Sequence, residues 1–436
     1  TGLSRAGKTV FITSLVANLL DRGRMSGLEA ARSGRIEAAF LQPQPDDTVP
    51  RFEFETHLET LTGPNPQWPD STRSVSELRL SLRVRPRGML AGLSGPRIMH
   101  LDIVDYPGEW VLDLALLDQD FATWSARALA RAQGREAAGA FLERLAATDP
   151  AAKLDEPTAT ALARDWTGYL HAIHAAGFSD CTPGRFLLPG DLDGSPALTF
   201  APLPPGTSPR GSLAQEFARR FEAYKARVVK PFFRAHFARI DRQIVLVDVL
   251  GAIHSGPDAL DDLRQTLAGL LMAFRPGKSA FLAGLWGQKR VDRILFAATK
   301  ADHLHQSQHD RLAAIMGALV ADARRRADFS GAQTHATAIA ALRATTEETR
   351  PVNGAPLNLV RGTLLDSGKQ AAFHPGDLPE DPTSLFAPAR AGAKQWLDGD
   401  FAVMRFAPAP STLRAGDGPP HIRLDRATEF LLGDKL

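Results

Sequence analysis

Residues 2–9 read GLSRAGKT, the G-x-x-x-x-G-K-[ST] spacing of a loop that cradles phosphate. Glycines at its ends let backbone N–H groups wrap phosphate oxygens, and the start of the helix that follows favours negative charge. Lys8 is placed to reach the β- and γ-phosphates of a nucleotide, and Thr9 to offer its hydroxyl to a bridging magnesium ion. Gly2 and Gly7 shape the loop, while Ser4, Ala6 and Val10 complete the stretch expected to line the ligand. Arg5 either touches nucleotide or a partner, or is simply solvated. Val10, Phe11, Ile12, Leu15, Val16, Leu19 and Leu20 then recur at helical spacing, which predicts a helix ending between Asp21 and Gly23. A buried strand ordinarily leads into such a loop, so the natural polypeptide is expected to extend before Thr1.

Outward from the loop, the proline-rich stretch 41–71 leads into SVSELRLSLRVRP (74–86), whose alternation reads as a strand. RIMHLDIVD (97–105) is a second strand, and the glycine-rich RGMLAGLSG (87–95) joins the two into an antiparallel hairpin beside a central sheet. From Trp110 to about Arg242 helical patterns recur at 110–148, 157–176 and 211–239, broken by a loop at 182–210 long enough to be functional or mobile. QIVLVDVLG (243–251) and RILFAATKAD (293–302) are continuous apolar runs, the mark of parallel strands buried on both faces. A helix at 306–328 and a short strand in HATAIAAL (335–342) follow. The fold class is therefore α/β, a Ras-like P-loop NTPase sheet with a large helical insertion. The expected division is a nucleotide domain (1–109 and 243–345), a helical insertion (110–242) and an irregular extension (346–436) whose terminal helix packs on the nucleotide domain.

Thr299, Lys300, Ala301 and Asp302 match [NT]-K-x-D at the end of a buried strand, where open α/β sheets bind ligands. A carboxylate accepts, and guanine presents N1–H and N2 amino donors, whereas adenine offers an unprotonated N1. Asp302 thus selects guanine. Two D-x-x-G segments compete to sense the γ-phosphate, Asp105-Tyr106-Pro107-Gly108 and Asp248-Val249-Leu250-Gly251. Only if Asp105 is the sensor does the strand count close, so Asp105 is assigned to magnesium through water and the Gly108 amide to the γ-phosphate; Asp248 is then a strand-end residue. Thr72, in PQWPDSTRS (66–74), is read as a switch threonine on the metal, or else a plain loop hydroxyl. Arg73 stabilises transition-state charge or is a surface arginine. Glu109 orients the attacking water or only bonds structurally. Backbone N–H groups at Ala341 and Leu342 are expected against guanine O6.

With 51 Lys and Arg against 49 Asp and Glu, the charge balance gives no reason to propose a nucleic-acid partner. Cys181 is the only cysteine, which excludes an intrachain disulfide and a cysteine-based zinc site and suits a reducing compartment. No apolar run reaches the length of a membrane span. Helix 211–239 carries Arg219, Arg220, Arg227, Lys230 and Arg234 opposite Leu213, Phe217, Phe221, Tyr224, Val228 and Phe232; the basic face is solvated, the alternative being an anionic membrane surface.

Taken together, residues 2–20, WPDSTRSVSELRL, DIVDYPGEWVLDL, LFAATKAD and the terminal PHIRLDRATEFLLGDKL resemble the bacterial YcjX-like family over nearly the whole chain. The resemblance implies a stress-associated GTPase of the cytoplasm that takes GTP/GDP and Mg2+ and is often encoded beside a membrane-protein partner. Its matched positions are Gly2, Gly7, Lys8, Thr9, Thr72, Asp105, Gly108, Thr299, Lys300 and Asp302. Peripheral contact with the inner membrane and a nucleotide-dependent oligomer are compatible with that expectation. Two other readings stay open, a P-loop ATPase or kinase and a nucleotide-stabilised scaffold without turnover.

Overall fold

The computed structural model describes every residue except 4, 88–94, 238–239, 274–290, 330, 353, 387–396, 398, 400, 402–404 and 411–413. The chain is a mixed α/β protein of two compact units, one comprising Thr1–Pro107, Asp241–Asp261 and Val291–Leu436, the other Gly108–Ile240 and Asp262–Arg290.

The first unit opens with α1 (Lys8–Leu20). Three antiparallel strands follow, β1 (Ile36–Gln42), β2 (Ser76–Val84) and β3 (Arg97–Asp105), with β2 in the middle. The expected hairpin forms, Ser76 opposite Asp105 and Val84 opposite Arg97; most of its joining loop lies outside the described residues. Alternation sends Leu78, Leu80, Leu82 and Val84 to one face, where they share a core with Phe11, Ile12, Leu15, Val16 and Leu19 of α1. β1 and the helix Phe54–Thr62 were not legible, because two adjacent alanines and a register shift between Ile36 and Ala38 blur the period of the strand.

A parallel sheet completes this unit's centre, in the order β4 (Arg242–Val247), β5 (Arg293–Ala298), β6 (Gln333–Ala338). Val245–Val247 and Ile294–Ala298 are buried without a break, as strands covered on both faces must be. Thr1–Leu3 runs parallel beside β4, Leu3 N–H donating to Leu246 C=O at 3.1 Å and Leu246 N–H to Thr1 C=O at 3.1 Å. The helix read at 306–328 is two, His309–Leu319 and Ala321–Phe329, broken at Val320.

The extension expected to be irregular contains a third sheet, antiparallel, of β7 (Thr346–Val352), β8 (Ala355–Thr363) and β9 (Gln370–Phe373). Its strands are short on apolar residues, and Pro351 is tolerated because β7 lies at the edge. Beyond it, residues 416–425 strap α1 and the turn after it. Asn18 Nδ2 donates to Pro419 C=O at 3.0 Å, Gly23 N–H to Gly416 C=O at 2.9 Å, and Gly27 N–H to Asp425 Oδ2 at 2.7 Å. The helix Leu424–Leu432 then buries Leu424, Ala427, Leu431 and Leu432 in the α1 core.

The second unit contains no β-strand among the described residues. Its core is aromatic: Trp124 stacks on Phe221 at 5.1 Å and meets Trp166 edge-on at 6.3 Å. The long loop packs into this core instead of standing free, with Phe186, Phe200 and Ala201 buried. The basic helix buries Leu213, Phe217, Phe221 and Tyr224; Arg220 is buried between Glu216 and Glu156, and Arg219 pairs with Glu216. Its stripe is core. Among the described residues no helix is long and apolar enough to cross a membrane.

Asp113 lies at the base of this core, accepting from Gly184 N–H at 2.7 Å and from the Tyr224 hydroxyl. Burial pushes it up to about 6, against the opposing pull of those two donors. The folded state therefore binds more protons than the unfolded chain between about pH 4 and 6, so stability falls as pH rises through that window. Asp113→Asn is expected to lose this fall, becoming relatively more stable at pH 7 than at pH 4.5 by at most about 3 kcal/mol. Chemical denaturation of both proteins at the two pH values checks the sign.

Candidate functional site

The loop's backbone conformations follow from its sequence. Gly7 has φ of 76° and caps α1 from the left-handed region, where a side chain would be strained; Arg5 adopts φ of 59°. Gly2 is needed for closeness. A Cβ there would stand 2.7 Å from Lys8 Cγ and 3.1 Å from Leu246 Cβ. The Lys8 side chain arches back over this point, its ammonium 3.3 Å from Gly2 C=O, and so lies across the hollow of the loop.

Three oxygens converge at the start of α1. Thr72 donates to Asp105 Oδ2 at 3.0 Å, and since that uses its proton, Thr9 donates to Thr72 Oγ1 across 3.3 Å. Thr9 and Asp105 are buried and Thr72 half-buried. Burial raises the Asp105 carboxyl, and the nearby Lys8 ammonium and the Thr72 hydroxyl pull it back down. A buried carboxylate beside two hydroxyls is a set of hard oxygen donors that suits magnesium. Among the described residues no group of three or more His, Cys, Asp or Glu forms a metal cage, so an ion here would also need phosphate oxygens and water.

The second cluster stands at the end of β5. Thr299 N–H donates to Val247 C=O at 2.9 Å and Ala301 N–H to Ile339 C=O at 3.1 Å, and Lys300 turns with φ of 61°. These bonds aim Asp302 inward, 4% exposed. Ala344 N–H donates to Asp302 Oδ2 at 2.9 Å and the Thr345 hydroxyl to Asp302 C=O; Oδ1 has no partner among the described residues. Ala341 and Leu342 lie in the same loop, which is anchored by Ala340 N–H to Ile422 C=O at 3.1 Å and Arg343 N–H to Pro420 C=O at 2.7 Å. Because Thr1–Leu3, β4 and β5 are successive parallel neighbours, both clusters emerge at the same edge, about 10 Å apart by strand spacing.

Asp248, the competing aspartate, accepts from Gly251 N–H at 3.0 Å as a helix cap and pairs with Lys300. It is part of the second cluster's frame. Gly108 and Glu109 open the helix Gly108–Leu112 in the second unit, where the buried Glu109 carboxylate stands 3.7 Å from His174 Nε2. Gly184 presses on it so closely that a Cβ would lie 1.9 Å from Glu109 C=O. Arg5 and Arg73 are exposed, and Ser4 lies outside the described residues. The straps from Pro420 and Ile422 to the loop at residues 340–343, and an indole bond from Trp68 to Phe406 C=O at 2.7 Å, had no signal in the sequence: their partners stand far along the chain.

The family described as "YcjX-like family, DUF463" matches residues 1–436. The chain is 39% identical to the "Ras-like GTPase YcjX" of Escherichia coli (strain K12) over 453 residues, covering 100% of this chain and 95% of that protein. It is 35% identical over 463 residues to the protein of the same name from Shewanella oneidensis, covering 100% and 93%.

Proposed function

The chain belongs to the YcjX-like family, and from that premise we propose that it is a Ras-like P-loop GTPase, binding GTP with magnesium and hydrolysing it slowly as a molecular switch. The observation that carries the reading is the run of oxygens from Thr9 through Thr72 to Asp105, beside the Lys8 ammonium. Loop amides from Arg5 to Thr9 would hold the phosphates, Lys8 would counter their charge, and Asp302 would read the base with Ala341 and Leu342 N–H groups on guanine O6. Thr9, Thr72 and, through water, Asp105 would hold magnesium. Held there, the ion would counter the negative charge that develops on the phosphate oxygens in transfer. Loss of the γ-phosphate would free the loop carrying Thr72, an order-to-disorder change of the kind switches use. A cellular setting in bacterial stress response, with a membrane-protein partner, is inferred from the family resemblance.

Phosphate release from GTP in magnesium tests this. Wild type is expected to turn over, Thr72→Ala to need more magnesium, and Lys8→Ala to lose at least about a hundredfold in rate, the scale of removing one transition-state donor. Equal release by wild type and Lys8→Ala would remove the proposal. The contact of Glu109 with His174 gives the scaffold reading a specific footing: it expects GTP binding with hydrolysis unchanged in Glu109→Gln and Arg73→Ala.

A further inference from the structure

Asp302 and Thr72 are joined by a small apolar cluster. Ala344, Val360 and Phe406 are buried together, with Trp68 and Leu364 packed against them. Three of its members, Ala344, Phe406 and Trp68, have contacts that lead to one end of the site or the other. Ala344 N–H holds the Asp302 carboxylate at 2.9 Å. Phe406 sets its ring edge-on to His303, next to Asp302, with centroids 5.5 Å apart. The Phe406 carbonyl accepts from the Trp68 indole N–H at 2.7 Å, and Trp68 begins the loop that reaches Thr72 four residues later. The Phe406 backbone is fixed in turn by Ala407 N–H to Thr363 C=O at 2.8 Å and Leu365 N–H to Arg405 C=O at 2.7 Å. Its ring lies over Gly362, where a Cβ would stand 2.4 Å from Phe406 Cδ1, so this strand position has room for hydrogen only.

We propose that Trp68 and Phe406 are positioning residues that tie guanine recognition at Asp302 to the metal-facing placement of Thr72. The inference rests on the GTPase reading above. An indole held by one hydrogen bond to a segment that also packs on the base-reading strand end transmits a shift at either end to the other, because a close-packed cluster cannot deform continuously. The coupling must be reciprocal: whatever orders the base loop favours the switch loop, and the γ-phosphate and metal that order the switch loop tighten the hold on guanine. Phe406 supplies that linkage from a segment some hundred residues beyond the base motif, where no nucleotide-binding pattern occurs in the sequence.

The test is titration of the full chain with GDP and with GTPγS in magnesium, in wild type, Trp68→Phe, Phe406→Leu and Gly362→Ala, with thermal midpoints measured on each. Trp68→Phe keeps an aromatic ring against the cluster while removing the N–H donor and the smaller part of the indole, so GDP affinity is expected to stay within about twofold while GTPγS affinity falls about fivefold, the scale of one hydrogen bond. Phe406→Leu and Gly362→Ala, which withdraw or displace the ring, are expected to weaken both nucleotides and to narrow the GTPγS preference as well. Equal changes for the two nucleotides in Trp68→Phe, or none, would overturn the proposal and leave the cluster structural. If Phe406→Leu fails to fold, the half-exposed Trp68 still decides the matter. Failure of wild type to bind either guanine nucleotide is a different outcome: it discards the GTPase reading and this inference with it.

Discussion

Asp302→Asn is expected to exchange guanine for xanthine. The carboxylate has four lone-pair sites, of which Ala344 N–H takes one on Oδ2, leaving acceptors for the paired donors of guanine. In the variant, the amide oxygen must turn to Ala344, because an NH2 group there would oppose another donor. The NH2 then points at the base edge, where it repels the guanine amino group and suits the C2 carbonyl of xanthine. Two hydrogen bonds to a charged group, at about 1.5–3 kcal/mol each, set a loss of GTP affinity of about 10²–10⁴-fold. Affinity for XTP should rise by a comparable factor, and the thermal midpoint without nucleotide should change little, since the oxygen that Ala344 needs is kept. Competition between GTP and XTP on wild type and variant measures this. An Asp302→Asn protein that still prefers GTP would show that Asp302 does not read the base.

Leu424→Ala is expected to cost about 2–5 kcal/mol, because it removes a fully buried side chain from a core that cannot wholly collapse around the space. Leu424 is 0% exposed and shares its cluster with Phe11, Val16 and Leu19 of α1 and with Leu431, Leu432 and Leu436. The loop at residues 2–7 leads directly into α1, so the candidate site stands on this core. Truncation after Arg423 would take five buried apolar residues of this core and the Glu29 N–H to Glu429 Oε2 bond at 2.9 Å, and is expected to leave no soluble folded protein. For a unit of this size the point substitution should lower the thermal midpoint by roughly 5–15 °C. Bound GTP should restore part of it by mass action. A Leu424→Ala protein that melts with wild type would mean that the terminal helix is peripheral to the core.

The elements that could be read from sequence were those with a strong local period. Leu78, Leu80 and Leu82 alternate with charged and polar residues, and Val245–Val247 and Ile294–Ala298 are unbroken apolar runs, so the hairpin and the parallel strands follow from burial alone. β7 to β9 gave no such signal: TEETRPV is exposed along most of its length, and prolines at 351 and 356 face one another across the pair. The site divides the same way. Gly2 to Thr9 is one contiguous motif, and Thr299 to Asp302 is recognisable by its place after a strand. Thr72 could be placed only by its position ahead of the hairpin, and the choice of Asp105 over Asp248 needed a count of strands. The bonds that fix these residues lie beyond any local reading, since Trp68 finds its acceptor 338 positions away and Asn18 its own 401 away. Such contacts depend on which surfaces the finished fold brings together.

The central claim, a site for guanine nucleotide and magnesium built on Lys8, Thr9, Thr72, Asp105 and Asp302, is tested most directly by calorimetric titration of the wild-type chain with GTP, GDP and ATP, each with magnesium and with a chelator. The account predicts that GTP and GDP bind at least about a hundredfold more tightly than ATP, the scale of two charged hydrogen bonds to the base, and that removing magnesium weakens GTP more than GDP. ATP binding as tight as GTP, or GTP binding indifferent to magnesium, would contradict it.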